Sequence, residues 1–181
     1  MPSGPASFIG RAGHKALEHY YQGIPKQVAI SLGLEYLRTV PDFEIEFGKV
    51  DTERGRRAKR ASMEEEYLQA IGFYLARAPR FDVLGGEVMA LARVRGLPLP
   101  VKAISDLVVA SRGNPGCVDI VDHKFVDSFS TTQGDDKPLF VLQALFNYYT
   151  VLDEFHMPVK RFIVQECKRK KNRDGKSQMR R

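Results

Sequence analysis

The sequence predicts a mixed α/β (α+β) domain, helices first and a small sheet after them, and three observations carry that prediction. Apolar residues recur at helical spacing through roughly the first 78 positions. Three runs rich in Val, Ile, Leu and Phe then follow, at 81–94, 99–110 and 117–126, with Gly- and Pro-bearing breaks at 96–98 and 113–116. Beyond them, one more helical stretch precedes one more strand-like run. The element order is α-α-α-β-β-β-α-β, a small mixed sheet flanked by helices. The 181 residues read as one domain, 1–181, with no internal repeat and no linker, long enough to bury a sizeable core.

Each element has its own signal. Residues 7–22 read as a helix capped by Ser7, with Ile9, Ala12, Ala16, Leu17 and Tyr20 on one face. A shorter helix over 26–38 has Val28, Ile30, Leu34 and Leu37 as its apolar set. Asp51-Thr52 then caps a long helix that runs to Ala78, where Pro79 stops it. The second and third strands form a hairpin about the Gly113-Asn114-Pro115-Gly116 turn. Asp135, Asp136 and Pro138 announce the last helix, and Met157-Pro158 ends it after Phe155. Residues 159–168 make a fourth strand. Asn172-Arg173-Asp174-Gly175 is a turn signal, so the basic stretch 168–181 reads as a tail or as a hairpin.

Composition narrows the function classes. With 43% hydrophobic and 28% charged residues the chain is an ordinary globular one. No apolar window approaches 18 residues and no signal peptide opens the chain, so the expectation is an intracellular, cytoplasmic protein that is neither secreted nor membrane-spanning. Two cysteines, Cys117 and Cys167, are too few for a four-cysteine zinc or iron–sulfur site, so no iron–sulfur cluster is expected. The net charge is +6, and its surplus is local. Residues 168–181 hold eight bases and one acid, while the other 167 residues sum to −1. A second basic knot, Arg54 to Arg60, is offset by Glu64-Glu65-Glu66. A polyanionic partner follows from this pattern, with a solvated charged face as the competing account.

The chemistry sits in the hairpin. Strand alternation places Val118, Ile120, Asp122 and Lys124 on one face, and Ile104, Asp106 and Val108 on one face of the preceding strand. Asp122 and Lys124 then lie about 6.6 Å apart along the strand. If the hairpin closes symmetrically about Asn114, paired residue numbers sum to 228 and Asp106 falls opposite Asp122, ~4.5–5.5 Å away at Cβ. Two carboxylates amid Ile and Val repel unless a proton or a cation lies between them, and Mg²⁺ or Mn²⁺ suits an all-oxygen pair. Lys124 beside them supplies positive charge or assists a water nucleophile. The bland alternative is a surface ion pair between Asp122 and Lys124.

Taken together, the chain resembles the PD-(D/E)XK nuclease superfamily, in its RecB-like branch of phage, recombination and CRISPR-associated nucleases. The resemblance rests on Gly13-His14-Lys15-Ala16-Leu17-Glu18, Ile104-Ser105-Asp106-Leu107-Val108, Val121-Asp122-His123-Lys124 and Gln143-Ala144-Leu145-Phe146-Asn147-Tyr148-Tyr149, which span residues 13 to 149. It implies a restriction-endonuclease-like core and a Mg²⁺- or Mn²⁺-dependent deoxyribonuclease, an exonuclease by its branch. Asp106, Asp122 and His14 would be metal ligands, with the main-chain carbonyl of His123 as a further one. Lys124 would orient or activate the attacking water. Gln143, with Tyr148 or Tyr149, would contact DNA or support the site, and Glu87 would be a further carboxylate of the site or a strand-edge acid. The sequence departs from the branch in having Asn147 where a Tyr is usual four residues after the Gln.

The DNA backbone would be held by Arg56, Arg57, Lys59 and Arg60 and by Lys168, Arg169, Lys170 and Lys171. A homo-oligomer or a helicase or recombinase partner fits the resemblance equally. Two competing functions share the fold: a non-catalytic nucleic-acid-binding domain, and an RNA endonuclease.

Overall fold

The computed structural model describes residues 2–50, 52–129, 138–172 and 178–180. Three helices come first: α1 (Pro5–Tyr21), α2 (Lys26–Thr39) and α3 (Glu53–Ala76), with a short 3-10 turn at Asp42–Glu44. The strands β1 (Val83–Ala92), β2 (Val101–Ala110) and β3 (Val118–Val126) follow, then α4 (Pro138–Phe155), β4 (Val159–Lys168) and β5 (Met179–Arg180). The five strands form one sheet in chain order, β1-β2-β3-β4-β5. The β1–β2, β2–β3 and β4–β5 pairs are antiparallel. At the start of β3 the Val118 N–H donates to the carbonyl of Pro158, just before β4, and beyond the end of β4 the Arg169 N–H donates to Val126. β3 and β4 therefore run the same way, as a helical crossover requires. The mixed α/β class and the element order are those the sequence predicts, with β5 added.

The chain divides into two compact units. The first comprises the chain up to Ala78 with Lys124–Ser128 and Glu166–Arg180, and the second comprises Pro79–His123 and Phe129–Gln165. The core of the first unit is built where α1, α2 and α3 meet: Phe8, Ile9, Leu17, Leu37, Met63, Tyr67, Ile71 and Tyr74 are buried together, with Cys167 from β4. Burial pushes the Cys167 thiol up to about 12. It raises the Tyr67 phenol as well, and Tyr67 donates its hydroxyl hydrogen to the Ile30 carbonyl at 2.7 Å. The core of the second unit is smaller, with Val108, Val118 and Ile120 of the sheet buried against Val151 of α4.

Several local expectations are corrected. Ser7 does not cap α1: the helix starts two residues earlier, with Gly4 at the cap and Pro5 in the first turn, whose fixed φ suits that position. The buried face of α2 is Ala29, Gly33 and Leu37, and Val28 is 49% exposed, because small residues let this helix approach its neighbours closely. By contrast, Thr52 caps α3 as expected, its Oγ1 accepting from the Gly55 N–H at 3.1 Å. The basic C-terminal stretch does fold back, since β5 pairs with β4 through Glu166↔Arg180 and Cys167↔Met179. Asp51, Asp135, Asp136, Asp174 and Gly175 lie outside the described residues. No described helix is long and apolar enough to cross a membrane.

Candidate active site

The β2–β3 register is the one the turn predicts. Leu107↔Val121, Val108↔Ile120, Val109↔Asp119 and Ala110↔Val118 each sum to 228. Asp106 and Asp122 are the next residues along the two strands. Asp122 is 4% exposed, and its Oδ1 accepts from Gln143 Nε2 of α4 at 2.7 Å. Asp106 Oδ2 accepts from the His123 main-chain N–H at 2.6 Å. The two acids are thus each oriented by a donor from a neighbouring element of the same unit.

A kink replaces the simple alternation expected of β2. Ser105 and Val108 are three residues apart, yet Ser105 bonds to Asn147 of α4 and Val108 packs on Val151 of the same helix. Strict alternation forbids that, so the strand slips its facing at Asp106-Leu107. On the neighbouring strand the register shifts between Val83 and Gly85 and is constant from there to Ala92. The β1–β2 ladder runs Gly86↔Leu107 and then Val88↔Ser105, with Glu87 and Asp106 between them. Glu87 has φ of 47°, a left-handed conformation that a non-glycine residue rarely adopts within a strand. Glu87, Asp106 and Asp122 consequently occupy neighbouring positions across three strands. Ile104, expected to share a buried face with Val108, is instead 50% exposed.

Behind the acids lies a buried polar chain. Ser105 Oγ donates to Asn147 Oδ1 at 2.6 Å, and Asn147 Nδ2 donates to the Gln143 carbonyl at 2.8 Å. Ser105 and Asn147 are each 2% exposed. Asn147 therefore holds the helical turn whose Gln143 reaches Asp122. The sequence signal for this role is two polar residues four apart, Gln143 and Asn147, within the otherwise apolar run 139–149. On the strand side Ser105 gave no signal.

The remaining predicted residues are placed as follows. His123 is 2% exposed, and its Nδ1 lies 3.8 Å from Asp106 Oδ2, so its ring approaches one acid although alternation turns it from Asp122. Lys124 follows on β3 as the first residue there of the other unit. In that unit His14 is half-buried on α1, its ring edge-on to Phe125 at 6.1 Å. Gly13 permits this packing, since a Cβ there would stand 2.3 Å from the Phe125 ring. Tyr148 and Tyr149 stack edge-on to each other at 5.3 Å, and Tyr148 lines an apolar groove of about 370 Å³ with Phe140, Val159 and Phe162.

Of the basic residues, Arg57 pairs with Glu53, and Arg60 with Asp42 and the Val40 carbonyl. Arg56 is half-buried and Lys59 exposed on α3. Arg169 is a correction: it is 6% exposed and bound to Glu66 and Asp127, which removes it from the set open to a phosphate backbone. Lys170 reaches the same Glu66, Lys168 donates to Asn172, and Lys171 is exposed. On the far side of β3, buried Asp119 accepts from Arg161, whose guanidinium is raised above its ordinary value by that hydrogen bond.

Among the described residues, no group of three or more His, Cys, Asp or Glu side chains stands close enough to hold a metal ion. Asp106 and Asp122 each offer carboxylate oxygen, a donor type that suits a hard divalent cation and not a soft one. Compared with protein-family models, curated proteins and solved structures, the chain finds no match.

Proposed function

We propose that the protein is a metal-dependent DNA nuclease that hydrolyses phosphodiester bonds. The observation that supports this reading is the β2–β3 register: the residues that follow Leu107↔Val121 on the two strands are Asp106 and Asp122, and each carboxylate accepts from a donor. Asp106 and Asp122 would hold Mg²⁺ or Mn²⁺ through hard oxygen atoms. Such an ion supplies positive charge against the scissile phosphate and acidifies water at neutral pH. Gln143 keeps the Asp122 carboxylate turned in one direction, and the His123 N–H does the same for Asp106. The resemblance assigns His14 as a further ligand and Lys124 as the group that orients the attacking water and offsets phosphate charge. Arg56, Lys59 and Lys171 would contribute to holding the DNA backbone.

Asp106→Ala, Asp122→Ala and Lys124→Ala test the reading on linear and circular DNA with Mg²⁺ or Mn²⁺. Each is expected to lower the cleavage rate by about 100-fold or more. Cleavage at the wild-type rate in all three would sink the mechanism. Matched RNA substrates separate an RNA endonuclease from a deoxyribonuclease. A Mn²⁺-induced rise in melting temperature that vanishes in Asp106→Ala distinguishes a metal site from a binding-only scaffold.

A further inference from the structure

The β1–β2 hairpin ends in an eight-residue loop, Arg93 to Pro100, closed by the pairs Leu91↔Lys102 and Ala92↔Val101. Its composition is unusual for a loop. From Val88 to Ser105 there are three cations, Arg93, Arg95 and Lys102, and no acid. All three cations are exposed, and at the tip Leu97 is 50% and Leu99 75% exposed. The tip is also stiff. The Leu97 N–H closes a turn on the Val94 carbonyl, and Pro98 and Pro100 fix the backbone on either side of Leu99. Exposed leucines held on a rigid, cationic arm are poorly explained as solvent-facing loop.

We infer that this hairpin is a nucleic-acid-engaging arm: Arg93, Arg95 and Lys102 grip phosphates while Leu97 and Leu99 wedge against a terminal base step and unstack it. Charge selects the occupant, since a stretch with three cations and no acid complements a polyanion. Apolar side chains flanked by arginine are the chemistry with which proteins part stacked bases. Position agrees as well. Lys102 lies four residues before Asp106 on the same strand, about 13 Å away and about four phosphate steps of one DNA strand. DNA engaged at Asp106 therefore reaches the arm. The inference rests on the nuclease reading for its substrate and adds to it a device that opens the duplex end.

The experiment measures binding in EDTA to a short DNA duplex carrying a fluorescent adenine analogue as its terminal base. The wild type is expected to raise the fluorescence as the end unstacks. Leu97→Ser/Leu99→Ser should abolish that rise and leave the salt dependence of binding intact. Arg93→Ala/Arg95→Ala/Lys102→Ala should flatten the log–log salt slope by about 3, near 0.9 per lost phosphate contact. Thermal melts equal to wild type show that these surface variants fold. An unchanged slope and unchanged fluorescence in a protein that still cleaves DNA would overturn the arm and leave the nuclease reading standing. Arm-dependent binding without metal-dependent cleavage would do the reverse. Loss of binding to phosphatidylserine vesicles in the same variants, with DNA binding unaffected, would assign the arm to a membrane surface and also overturn it.

Discussion

The polar chain behind Asp122 makes a quantitative prediction. Ser105→Ala removes the donor to Asn147 Oδ1, and that oxygen stays buried on a residue 2% exposed. An unsatisfied buried acceptor costs roughly 1–3 kcal/mol, more than the ~1 kcal/mol net worth of the bond itself. Asn147→Leu strands the Ser105 hydroxyl in the same way and also removes the 2.8 Å bond to the Gln143 carbonyl, so about 2–4 kcal/mol is expected. The double variant Ser105→Ala/Asn147→Leu leaves neither polar partner to be stranded. It should therefore cost less than the sum of the two single changes, by about 1–2 kcal/mol of coupling. Urea denaturation followed by circular dichroism gives the three values, with an unchanged slope as the control for two-state unfolding. Single costs that add to within about 0.5 kcal/mol would refute the idea that these residues act as one buried unit.

Two further predictions concern the first unit. A Cβ at Gly33 would stand 2.1 Å from the Tyr67 hydroxyl and 2.5 Å from the Ala12 carbonyl, so Gly33→Ala must displace a helix backbone and is expected to cost roughly 1–3 kcal/mol. Gly10→Ala and Gly72→Ala meet nothing within 4 Å in helix interiors and should stabilise by about 0.5–1 kcal/mol; chemical denaturation of the three variants checks the contrast. Cys167, raised from 9.0 to about 12, binds its proton more tightly folded than unfolded. Its contribution to stability is complete below pH 9 and is lost as pH rises toward 12; Cys167→Ala should flatten that part of the stability–pH curve.

What the sequence made legible was whatever depends on local pattern. The fourth strand was expected over 159–168 and spans Val159–Lys168, because it is bounded by Pro158 and a charged turn. The hairpin register followed from the symmetry of the turn about Asn114, which is fixed by covalent geometry once the loop length is known. Features set by long-range packing were not legible. Arg169 sits in a basic run and reads as a contact to the DNA backbone, yet it is buried with Glu66 and Asp127, from distant parts of the chain, as its partners. The left-handed backbone of Glu87, beside Asp106 on the next strand, was not legible either, because glutamate carries no turn signal. Asn147 is visible as a polar residue four after Gln143 where a tyrosine is expected, but its partnership with Ser105 requires the packed helix.

The left-handed backbone at Glu87 has an evolutionary consequence. A side chain held at φ of 47° carries a steric cost of roughly 1–2 kcal/mol that glycine would escape, and asparagine would tolerate the conformation better. Random variants of position 87 selected for folding alone should therefore drift toward glycine or asparagine. Variants selected for cleavage should retain an acid if the carboxylate matters there. The divergence between the two pools would measure, at one residue, how far stability and function pull the same backbone in opposite directions.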